Sequence, residues 1–129
     1  MAKLKAAGVD PASLKTFNDF DAALAKLRRS LPASEPVIAL GNKDQYGAIH
    51  MWGMVQGAYD SAQSIRDWIF HKDGATFDTP GTIESLKKIK EWADKGYLGK
   101  GDSFNARSDA DAAAAFGKGE GAFVLGGNW

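Results

Sequence analysis

Cysteine is absent from the 129 residues, so neither a disulfide nor a thiolate metal site holds this fold. An excess of either charge is absent as well. Sixteen basic residues balance sixteen acidic ones with no Lys/Arg block, which removes the electrostatic footprint of a polyanion binder and argues against nucleic acid as a partner. Histidine is scarce: His50 and His71 have no i, i+4 partner and no carboxylate-flanked spacing, so a helical zinc motif is excluded. Long apolar runs are missing too, none approaching the roughly 18 to 20 residues of a membrane span. The start, Met1-Ala2-Lys3-Leu4, has no signal-peptide apolar region, and the chain as it stands reads as soluble.

Catalytic signatures are equally sparse. No Gly-x-Ser-x-Gly elbow occurs. Gly117-Lys118-Gly119-Glu120-Gly121 lacks the glycine five residues upstream that a phosphate loop needs, and it precedes a strand where such a loop would follow one. The pairs Asp19/Asp21 and Asp109/Asp111 stand two apart at expected helix starts, where negative charge favours the dipole, and are read as capping groups. The reading is of a non-enzyme that needs neither cofactor nor metal.

What is present is a 44% hydrophobic chain, enough for the core of one domain. Residues 2–7 read as a helix end stopped by Gly8. Thr16 as N-cap with Asp19 three residues on, then Phe17, Phe20, Leu24, Leu27 and Leu31, predicts an amphipathic helix over 17–30. Val37-Ile38-Ala39-Leu40, closed by Gly41-Asn42, predicts a buried strand. Helices are expected over 47–58 and 61–71. Another begins at Thr79-Pro80 and ends at Gly96, with Ile83, Leu86, Ile89, Lys90 and Ala93 on its buried side and the 87–91 run on its solvated face. Ser108 or Asp109 opens a short alanine-rich helix to Phe116, and a last strand covers Gly121 to Leu125. Five or six helices with two or three short strands define an α/β layered domain.

Aromatic residues give the functional lead. Tyr46 and Trp52 follow the end of the first strand, and Trp129 follows the end of the last. In open α/β sheets ligands bind beyond the carboxyl ends of the strands. Flat rings flanked by amides and carboxylates suit sugars, whose C–H faces stack while their hydroxyls are hydrogen-bonded. Asn42, Lys43, Asp44, Gln45 and Asn128 supply such polar groups. For Trp52, Trp68 and Trp92, core packing is the plainer reading, and His50 beside Trp52 reads equally well as a packed histidine.

Several stretches resemble a known family. They are Ala7-Gly8-Val9-Asp10-Pro11, Thr16-Phe17-Asn18-Asp19-Phe20, Ile38-Ala39-Leu40-Gly41, the run from Thr79 to Lys87, Lys95-Gly96-Tyr97-Leu98, and the run from Ala115 to Phe123 before Gly127-Asn128-Trp129. In this order and spacing, over nearly the whole chain, they resemble the family 1 extracellular solute-binding proteins, the sugar-binding components of bacterial ABC importers. That resemblance implies a periplasmic-binding-protein-like (type II) lobe, a short sheet flanked by helices. Residues 1–129 would form one partial lobe of a two-lobed parent that is extracellular, periplasmic or a membrane-anchored lipoprotein, and the stop directly after Trp129 reads as a cut. It further implies that Trp129 stacks on a carbohydrate, that Tyr46 stacks or hydrogen-bonds, and that Asp44 or Gln45 holds hydroxyls, with Asn128, Trp52 and His50 as further candidates. The implied partner of the parent is an ABC permease. The isolated chain is expected to bind sugar weakly or not at all, and the alternative is a self-associating folding unit that dimerises through uncovered sheet edges.

Overall fold

The structure is a computed structural model and describes residues 1–126. The chain runs through α1 (Ala2–Ala6), α2 (Phe17–Ser30), β1 (Ile38–Ala39), α3 (Tyr46–Gln56), α4 (Ala62–Ile69), α5 (Pro80–Asp94), α6 (Asp109–Gly117) and β2 (Phe123–Val124). Short 3-10 turns at Pro11–Ser13 and Ser103–Ala106 complete it.

Local chemistry sets most of these limits. Thr16 and Asp19 form the expected capping box, each side chain accepting from the other's backbone N–H at 3.1 and 2.9 Å. The Thr16 hydroxyl and the Thr16 and Lys15 amides hold the Asp19 carboxyl below the usual aspartate value. Ser61, Thr79 and Ser108 cap α4, α5 and α6 in the same way, accepting from the third residue of each helix at 3.0 to 3.1 Å. Each cap satisfies an amide that would otherwise have no intrahelical partner.

The two strands pair in parallel, Ile38 opposite Phe123 and Ala39 opposite Val124. Val37 through Leu40 are all buried, as a continuous apolar strand covered on both faces should be. The ladder is shorter than the apolar run because the amides of Val37 and Ile38 turn instead to the Tyr97 carbonyl, at 2.8 and 2.9 Å. The result is a mostly helical α/β lobe built on a small parallel sheet, with α6 packed on both strands.

Beneath the sheet the core centres on Trp92. Its ring stacks on Phe17 at 5.8 Å and meets Phe20 edge-on at 5.9 Å, while Phe20 reaches Phe123 of β2 at 5.1 Å. Leu24, Leu27, Met51 and Val55 fill the remainder.

Two expectations need correcting. The buried side of α5 is Thr82, Ser85 and Trp92, whereas Ile83 and Leu86 are 46% and 50% exposed and Lys90 faces solvent beside Asp94. The reason lies on α3. Gln56 donates to the Thr82 hydroxyl at 3.0 Å and the Trp52 indole to the Ser85 hydroxyl at 3.1 Å, so the α3–α5 joint is a satisfied polar seam that draws the hydroxyl-bearing side inward. The second concerns Asp21, which does not cap α2 but accepts the Trp92 indole N–H at 2.6 Å.

Candidate functional site

Because β1 and β2 are parallel, the chain leaves both strands at the same end of the sheet. From β1 it passes through Leu40 and Gly41 into the polar segment 42–45 and then α3; from β2 it continues through Leu125 and Gly126. Asn128 and Trp129, both nominated by the sequence, lie outside the described residues.

The segment after β1 is tightly built. A Cβ on Gly41 would collide with the backbone of Ser108 and Asp109 at the start of α6, and a Cβ on Gly47 would collide with the Gly41 carbonyl. Only glycine allows three backbone segments to converge here. The Asn42 amide N–H donates to the Phe104 carbonyl at 2.8 Å and that of Lys43 to the Arg107 carbonyl at 3.0 Å. Gln45 stands at the N-cap of α3 with φ 66°, a left-handed conformation uncommon outside glycine, and its side chain makes no cap bond.

On this frame Lys43, Asp44 and Gln45 are exposed and Tyr46, the first residue of α3, is 65% exposed. An aromatic ring and three polar side chains therefore project from one locked turn at the carboxyl end of the strand. Ile49, one helical turn beyond Tyr46, is also exposed, as is Met54. Ile49 extends an apolar patch from Tyr46 that sequence reasoning passed over, although the three-residue spacing was its signal, while Met54 stands about 140° from Ile49 around the helix.

Trp52 stands elsewhere. Six residues beyond Tyr46, it points about 120° away around the helix, with its indole bonded to Ser85 and its ring stacked on Trp68 at 6.0 Å and 27°. The fold thus brings Tyr46, Asp44 and Gln45 together and leaves Trp52 in the joint with α4 and α5. His50 is half-buried on α3. Asn42, counted with the ligand-facing polar groups by sequence, has its side chain engaged by the protein itself, accepting from Ala48 N–H at 2.8 Å and donating to Asn105 at 2.7 Å.

Among the described residues no group of three or more His, Cys, Asp and Glu is placed to hold a metal ion. No helix among them is long and apolar enough to cross a membrane.

The family model described as bacterial extracellular solute-binding protein matches residues 1–129, and the chain belongs to that family. In structure it is similar to a solved chitin oligosaccharide binding protein, with a TM-score of 0.83 and 24% sequence identity over 99% of this chain. The chain spans 30% of the length of that protein. A comparison with curated proteins gave no match.

Proposed function

We propose that this chain supplies part of the carbohydrate-binding wall of a solute-binding protein that hands an oligosaccharide to an ABC permease. The observation that carries the reading is the exposed Tyr46 ring beside Asp44 and Gln45 on a rigid turn at the strand end. A sugar face stacks on the ring while the carboxylate and amide take its hydroxyls, with no bond made or broken. The name of the similar solved protein favours a chitin oligosaccharide as the first ligand to try. Asn128 and Trp129 complete the proposed set, with His50 as a further candidate, whereas Trp52, packed on Trp68 and bonded to Ser85, falls outside it.

One wall of a cleft gives only part of the contacts. Losing about 4 kcal/mol of them weakens binding roughly a thousandfold, so the isolated chain binds at millimolar concentration or more weakly. The test is a titration with chito- and malto-oligosaccharides followed by tryptophan fluorescence and amide chemical shifts, with Tyr46→Ala and Trp129→Ala as controls. A saturable response lost in both variants supports the reading. Nanomolar binding would contradict the single-wall argument, and a response unchanged by both substitutions would sink the assignment of the site.

A second reading, self-association, is favoured by one observation on β2. Phe123 and Leu125 donate to β1, so in a parallel ladder Val124 between them presents its N–H and C=O outward, and the residue is 40% exposed. Such an edge can pair with the same strand of a second copy.

A further inference from the structure

We infer that Asn42 is the positioning residue of the binding turn, setting the conformation of Lys43–Tyr46 without touching ligand; its effect on affinity rests on the carbohydrate reading above. Four directed hydrogen bonds converge on this residue. Its backbone N–H donates to the Phe104 carbonyl at 2.8 Å and its carbonyl accepts from Gln45 N–H at 2.9 Å. Its side-chain oxygen accepts from Ala48 N–H at 2.8 Å and its side-chain amide donates to Asn105 Oδ1 at 2.7 Å. The orientation of the Asn42 amide follows from chemistry. A backbone N–H can only donate, so the atom facing Ala48 is the oxygen and the NH2 must face Asn105.

Ala48 is the third residue of α3, and its amide is among those a helix start leaves without an intrahelical acceptor. Gln45, at the position where a cap belongs, provides none. Asn42 therefore caps α3 from outside the helix and, with the same side chain, ties that cap to the Ser103–Ala106 turn. Gly41 and Gly47 pack against neighbouring backbone and make no directed side-chain bond, so they fix where the turn lies but not how Asp44, Gln45 and Tyr46 are aimed. The Asn42 side chain fixes the aim. Its geometry makes Asn42→Asp the conservative change, because a carboxylate still accepts from Ala48 and Asn105 can turn its own amide to donate. Asn42→Leu has a similar size and removes both bonds.

The experiment is nitrogen-15 NMR of the whole chain, wild type and variants, with tri-N-acetylchitotriose and maltotriose as probes. In Asn42→Leu we expect the Ala48 amide to exchange about tenfold faster, signals of residues 43–46 to move, and half-saturation to rise by about tenfold. The signals of Trp92 and its neighbours should stay in place. Asn42→Asp should recover most of both effects. Asn105→Ala, which leaves the Ala48 bond intact, should give a smaller change and serves as the single-bond variant if Asn42→Leu does not fold. Wild-type exchange and affinity in Asn42→Leu, or in Asn105→Ala should that variant stand in for it, would overturn the inference. If wild type shows no saturable shift with either sugar, the carbohydrate reading fails for this chain. The positioning role is then decided by Ala48 exchange and the 43–46 signals alone, and no change there overturns it.

Discussion

The Trp92 indole on α5 donates to the Asp21 carboxylate on α2 at 2.6 Å, joining two helices whose contact residues lie 71 positions apart. Trp92 is 1% exposed, and Asp21 also receives the Lys88 ammonium at 3.3 Å. Replacing Asp21 by Ala leaves a buried donor without an acceptor, and we expect a loss of about 1–3 kcal/mol in urea unfolding. Asp21→Asn, which retains an acceptor, should recover part of it. Trp92→Ala should cost more, about 3–5 kcal/mol, because it empties the centre of the core. Equal stability of Asp21→Ala and wild type would show that water replaces the carboxylate without penalty.

Acid sensitivity should be concentrated at Glu35. Burial alone would raise its carboxyl, but the Lys3 ammonium, the Gly121 N–H at 2.8 Å and the charge of Arg28 outweigh burial and hold it below the ordinary glutamate value of 4.5. A depressed folded-state value means that this stabilisation is complete above pH 4.5 and disappears as pH falls through the lower folded-state value. Glu35→Gln keeps an acceptor for Gly121 but cannot ionise, so its unfolding free energy should fall less steeply than that of wild type below pH 4.5. Asp19, Asp67 and Glu91 are shifted in the same direction and should preserve part of the acid limb. Parallel acid limbs in the two proteins would remove Glu35 from this account.

Gly41→Ala places a methyl group against the backbone of Ser108 and Asp109, which have no flexible side-chain end to yield. We expect a destabilisation of about 1–3 kcal/mol by chemical denaturation. Gly117→Ala, where a Cβ meets nothing, is the matched control and should be close to neutral. A neutral Gly41→Ala would mean that α6 can back away from the turn.

If copies associate through β2, Val124→Pro should abolish the dimer, since proline removes the one outward N–H while sparing the bonds made by Phe123 and Leu125. Light scattering across a concentration series reads the outcome directly. A dimer that survives this change uses another surface.

Helix starts were legible in the sequence because their signals are local. Thr16 with Asp19, Thr79 before Pro80, and Ser108 each act within three residues. The buried side of α5 was not legible. Ile83 and Leu86 carry the apolar signal, yet the side chains that satisfy Thr82 and Ser85 belong to α3, 26 and 33 residues earlier. The exposed turn at Asp44, Gln45 and Tyr46 could be placed because a buried strand followed at once by polar residues is a local pattern. The role of Asn42 could not, since its side-chain partner Asn105 lies 63 positions away and nothing in the sequence couples the two.

The stacked Trp52 and Trp68 rings carry a practical consequence. Helix α4 contributes no fully buried residue, and the Trp68 indole N–H has no hydrogen-bond partner among the described residues, so α4 rests on this ring contact more than on a core of its own. Two stacked indoles 6.0 Å apart and inclined by 27° couple electronically, whereas Trp92 stands in a separate aromatic cluster. The near-ultraviolet circular dichroism of the protein therefore contains a built-in gauge of α4 docking, which should fade at lower denaturant than the far-ultraviolet helical signal.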